Sequence, residues 1–166
     1  MFFNEQKIET KRLTGFVECD RDIEDLYKIN FYNKVGGKTL CIIIGLAIYQ
    51  EEKKVVCEIY NKRIADSIEA LDGCLKKIFE IDPCYFVLDY IMSNKDSLSI
   101  DFDERFGFIK SSKRNFYVID KTIFDNTAIN RQNALEKALS KSEQSPISKN
   151  LDDVLFKSDF LKNFNL

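Results

Sequence analysis

The residues best placed to do chemistry are Asn61-Lys62-Arg63, a short junction between two stretches of different period. Before it, Val55–Tyr60 (VVCEIY) has the β-branched and alternating apolar composition of a strand. After it, Ile64, Ile68, Leu71, Leu75, Ile78 and Phe79 recur at helical spacing and form one apolar stripe. A strand that feeds so directly into a helix exposes backbone N–H groups and the positive end of the helix dipole. That arrangement suits an anion such as a phosphate. Read without a ligand, the same junction is a plain strand-to-helix connection.

Other chemistries are excluded by composition. The chain of 166 residues contains no histidine, which removes Cys/His zinc sites and both Ser-His-Asp and Cys-His nucleophilic systems. Its five cysteines, Cys19, Cys41, Cys57, Cys74 and Cys84, are odd in number and lack CxxC spacing. Three lie in apolar runs, where a free thiol behaves as a small hydrophobe, and none has a context that lowers its pKa. A formal charge of −2 and dispersed lysines offer nothing to nucleic acid. MFFNEQKIE lacks the pattern of a signal peptide, and the longest apolar run, Leu40–Tyr49, is too short to cross a bilayer. The expectation is a cytoplasmic globular protein with no membrane or nucleic-acid partner.

The elements that must position the junction follow in order. Lys7–Cys19 reads as a first strand. Asp20-Arg21-Asp22 offers an N-cap for a helix through Ile23, Leu26, Tyr27 and Phe31, ending before Gly36-Gly37. Lys38–Tyr49 is a nearly unbroken apolar strand that forms a hairpin with Val55–Tyr60 across Glu51-Glu52-Lys53-Lys54. The helix from Ile64 ends near Asp82-Pro83. Cys84–Met92 is another buried strand, Ser97–Arg105 a short helix with Gly107 at its C′ position, and Phe108–Lys110 with Asn115–Phe124 a last hairpin. The order β-α-β-β-α-β-α-β-β predicts a mixed α+β fold with a mostly antiparallel sheet flanked by helices.

This order, with IETKRLTGFVECDRDIEDLYKI at the start and SIDFDERFGF near the end, resembles the GNAT superfamily of acyl-CoA-dependent N-acyltransferases. The likeness spans about Ile8 to Phe124. It implies acetyl-CoA as co-substrate and an amine as acceptor, with direct transfer in a ternary complex. By the same resemblance Glu58 is the candidate general base, and the backbone at Ile59 and Tyr60 faces the thioester carbonyl. Lys62, Arg63, Ala65, Asp66 and Ser67 surround the pyrophosphate. Asn94 either contacts the pantetheine arm or caps the short helix, and Tyr117 or Tyr90 donates a proton or is core. A strand Glu that is merely solvated or paired is the plainer role for Glu58.

The chain departs from the family in its pyrophosphate loop, which is shorter and has Arg63 and Ala65 where glycines normally stand. Asp103 occupies the position of the Tyr that many members use as general acid. A degenerate loop leaves a second reading open, a non-catalytic GNAT-like domain acting as a protein-interaction module.

Residues 1–125 are expected to form the acyltransferase-like domain and 126–166 a helical extension. Asn126–Lys141 has helical composition, Ser142–Asn150 that of a linker. Leu151, Val154, Leu155, Phe156, Phe160, Leu161 and Phe164 then crowd the end of the chain. So apolar a segment should dock on its own domain, across a homodimer, or on another protein.

Overall fold

The computed structural model describes residues 2–4, 6–35, 39–60, 63–89, 109–110 and 117–140. Their strands are β1 (Lys7–Glu9), β2 (Leu13–Cys19), β3 (Leu26–Asn33), β4 (Leu40–Tyr49), β5 (Lys54–Tyr60), β6 (Phe86–Asp89), β7 (Ile109–Lys110) and β8 (Tyr117–Asp120). The helices are α1 (Ile64–Ile81), α2 (Lys121–Asn126) and α3 (Ala128–Ser140). All eight strands join one sheet in the order β1-β2-β3-β4-β5-β6-β8-β7. The first five form an antiparallel meander; β5 and β6, linked through α1, are parallel; β6, β8 and β7 return to antiparallel pairing. The fold is therefore mixed α+β with a mostly antiparallel sheet and a helical C-terminal part.

Side-chain alternation divides the sheet into two apolar faces. One carries Tyr27, Ile29, Phe31, Ile42, Ile44, Leu46, Ile48, Val55, Cys57 and Ile59, and α1 lays Ile68, Leu71, Leu75, Ile78 and Phe79 in the same core. The opposite face buries Leu26, Ile43, Ala47, Val56, Tyr60 and Leu88. Because β4 is apolar on both sides, it reads as a continuous hydrophobic run, and each side chain like Ile44 contributes about 1.5–3 kcal/mol on burial. Phe2 and Phe3 close one end of the core, edge-on to Tyr85 and Tyr27 at 5.0 Å. α3 is fastened to α1 by Arg131, which donates to Asp72 at 2.6 Å and stacks 4.0 Å above Phe124.

Four sequence expectations change. The segment expected as the first helix is strand β3. Asp20 does accept from the Asp22 and Ile23 N–H groups, at 2.9 and 3.0 Å, as an N-cap would, but the bonds close a turn instead. Tyr27, Ile29 and Phe31 then bury at period two between β2 and β4, and sheet pairing outweighs the local helical spacing. Second, Lys7–Cys19 is not one strand: Thr10 and Leu13 close a tight turn between β1 and β2. Third, strand β8 stops at Asp120, whose carboxylate accepts from the Ile123 N–H at 2.8 Å and starts α2, so Lys121–Phe124 is helical. The strand expected from Cys84 begins at Phe86, because Asp82 accepts from the Cys84 N–H and holds a turn there. The expected helix Ser97–Arg105, Gly107, the linker and the apolar terminal segment lie outside the described residues.

Candidate functional site

Glu58 sits in the middle of the sheet, on the face opposite α1, and is 5% exposed. Its neighbour across the β4–β5 pair is Gly45, and Gly45 is in turn paired with Lys28 on β3. One row across the sheet is thus Glu18, Lys28, Gly45, Glu58, and Gly45 sets no side chain between Lys28 and Glu58. Lys28 Nζ lies 3.4 Å from the Glu18 carboxylate. The adjoining row holds Phe16, Asn30, Ile43 and Tyr60. Tyr60 therefore shares the face of Glu58, whereas Ile59 points into the α1 core. The described pairing of β5 with β6 runs as far as Cys57 opposite Asp89, one residue before Glu58.

At the start of α1 the sequence places Arg63 at the N-cap, in extended conformation and with no cap from its own side chain. Ser67 turns its hydroxyl back to the Arg63 carbonyl at 2.9 Å. Asp66, in the first turn, points toward the β1–β2 turn, where Arg12 Nη2 reaches its Oδ1 at 3.0 Å. Glu69, one turn on, receives Arg12 twice, from Nε to Oε1 and from the backbone N–H to Oε2, each at 2.8 Å. The Thr10 hydroxyl also donates to Glu69. Burial opposes the charge of Arg12, but the two carboxylates outweigh it and raise the guanidinium above its ordinary pKa. Gly73 permits this close approach, since a Cβ there would stand 2.9 Å from Thr10 Cγ2.

Of the residues expected around a pyrophosphate, Ala65, Asp66 and Ser67 are buried, and Arg63 is the charged one with a partly exposed side chain, at 33%. Arg63 Nε lies 3.6 Å from Asp66 Oδ2, at the limit of an ion pair. Arg63 and the first-turn backbone fit an anionic group; the Asp66 carboxylate, already in that turn, supplies part of the negative charge the dipole favours. Tyr117 lies on β8, its Cα opposite Lys110. Lys62, Tyr90, Asn94 and Asp103 lie outside the described residues.

Burial pushes the Cys41, Cys74 and Cys19 thiols up, with Asp25 adding to the effect at Cys19, so all three are protonated and poorly nucleophilic at neutral pH. Among the described residues no group of three or more Cys, Asp or Glu could hold a metal ion. No helix of the described residues is long and apolar enough to cross a membrane.

Comparison of the chain with protein-family models, with curated proteins and with solved structures gives no match.

Sequence reasoning missed two groups. The Arg12–Asp66–Glu69 network had a signal: two carboxylates at i, i+3 on the side of a helix that also carries the apolar stripe need a cation. Lys28 and Asn30 were hidden by the helical reading; at period two, Leu26, Lys28, Asn30 and Tyr32 fall on one face of a strand.

Proposed function

We propose that this chain is an N-acyltransferase of GNAT type, which transfers an acyl group from an acyl-CoA, acetyl-CoA in the simplest case, to a primary amine. The observation that carries this reading is Glu58, a carboxylate buried at mid-sheet on β5, the strand that α1 connects to its parallel neighbour β6. A mixed, mostly antiparallel sheet flanked by helices is also the architecture that the sequence resemblance implies. The acceptor arrives as an ammonium ion, and Glu58 takes the proton that makes its nitrogen nucleophilic. The N–C bond forms, the C–S bond breaks, and the departing thiolate takes up a proton. Arg63 and the first-turn N–H groups of α1 face the phosphates. The chain acts in a reducing compartment, as cysteines outside disulfides suit.

One observation favours the second reading, a GNAT-like domain that binds a protein instead. Asp66 brings its own carboxylate to the helix start, in ion pairs with Arg12 and Arg63. Calorimetric titration with acetyl-CoA and with CoA decides. Binding in the micromolar range followed by amine-dependent release of free thiol supports the enzyme. No heat at millimolar acetyl-CoA removes it in favour of the interaction module.

A further inference from the structure

Asn30, between Ile29 and Phe31 on β3, is 7% exposed, and its Oδ1 is buried with no hydrogen-bond partner among the described residues. Buried amide acceptors in folded proteins almost always have a donor, and an apolar residue of similar shape would be at least as stable there. An acceptor buried on the face that carries Glu58 therefore points to a donor supplied by something bound. Asn30 and Glu58 stand in adjoining rows, two strands apart, on the order of 12 Å between Cα atoms. Gly45 lies between Lys28 and Glu58 with no side chain, and Lys28 is turned to Glu18.

We propose that Asn30 is a positioning residue for the acceptor, and that the acceptor is a small amine carrying a hydroxyl or second N–H donor several bonds from its reacting nitrogen. The ammonium goes to Glu58 and the second donor to Asn30 Oδ1. This choice rests on the acyltransferase reading, and it names amino sugars and amino alcohols over simple alkylamines. A hydrogen bond that fills a buried orphan acceptor is worth about a tenfold preference or more.

The test is calorimetric titration, without acyl-CoA, of glucosamine and 5-amino-1-pentanol against cyclohexylamine and pentylamine, on wild type and Asn30→Leu. The wild type should favour the hydroxylated amines about tenfold. Asn30→Leu should keep alkylamine binding and lose the preference, with a melting temperature equal to or above wild type, which shows that it is folded. An unchanged preference in Asn30→Leu overturns the assignment, as does the absence of any preference, or of any binding, in the wild type. Acetyl-CoA titrated into the same preparations separates the two readings. If it binds while hydroxylated amines are not favoured, Asn30 is dismissed and the acyltransferase stands. If it fails to bind while the Asn30-dependent preference is seen, the amine site survives without the transferase.

Discussion

Arg12 and Glu69, 57 positions apart, share two 2.8 Å hydrogen bonds, one from the Arg12 guanidinium and one from its backbone N–H. Through them the β1–β2 turn is pinned to the second turn of α1, beside the helix start that the functional reading uses. Both carboxylates bound by Arg12 are nearly buried, with side-chain exposures of 5% for Asp66 and 8% for Glu69, against 29% for Arg12. Arg12→Ala leaves two charges without their main partner and should destabilise the fold by about 2–4 kcal/mol. Arg12→Lys should recover only part of this, because an ammonium cannot reproduce the guanidinium fork. Urea midpoints of the three proteins check both.

Glu58→Gln keeps the shape of the side chain and removes its basicity. Turnover with acetyl-CoA and an amine should fall about 100-fold or more at neutral pH, while the calorimetric affinity for acetyl-CoA stays within about twofold. The loss should shrink as pH rises toward the pKa of the acceptor amine, since free amine then needs no base. Turnover equal to wild type at neutral pH removes Glu58 from the chemistry.

Arg63→Glu reverses the partly exposed charge at the start of α1. It should weaken acetyl-CoA about tenfold or more, and the difference from wild type should diminish in high salt. Dissociation constants at low and high ionic strength measure it. An unchanged constant would move the phosphates away from this helix.

Gly15 lies under the ring of Phe31: a Cβ at that position would meet Phe31 Cε1 at 2.6 Å. Phe31 is fully buried and cannot swing out of the core. Gly15→Ala should cost about 1–3 kcal/mol by overpacking, read as a lower melting temperature with little change in secondary structure.

Asp25 ties the chain start to the core, accepting from the Phe2 N–H at 2.9 Å, the Tyr27 hydroxyl at 2.7 Å and Gln50 Nε2 at 2.5 Å. Burial opposes its ionisation, yet the bonds from Gln50, Tyr27 and Phe2 prevail and hold its carboxyl below the usual range. The folded state therefore binds this proton less readily than the unfolded chain. The stability Asp25 contributes is complete above the unfolded carboxyl value of about 3.9 and is lost as pH falls toward the lower folded value. Asp25→Asn, which tolerates the positive φ of 58° at this position, should flatten the loss of stability between about pH 5 and about pH 3. Denaturant midpoints across that range report the slope.

Much of the fold was legible because its signals are local. β4 and β5 announce themselves by unbroken or β-branched runs, α1 by an apolar stripe, and the end of α1 by Asp82-Pro83. Glu58 could be placed on a strand because both neighbours are apolar. Composition also removed histidine chemistry outright.

Other features depend on partners distant in the chain. Asp20 makes the same two hydrogen bonds in a turn as in a helix cap, so only pairing with β2 and β4 decides that Leu26–Asn33 is a strand. Asn30, Lys28 and Gly45 came onto the face of Glu58 only through register, which places residues from three strands there. The hydrogen-bonded partner of Asp66, Arg12, lies 54 positions away, and no spacing within the helix names it. The sequence by itself determined the periods, the breaks and the kinds of chemistry excluded, since these follow from neighbours within a turn or a pleat. Tertiary structure alone decided which polar groups share a face and which charges neutralise each other, because long-range contacts set both burial and register.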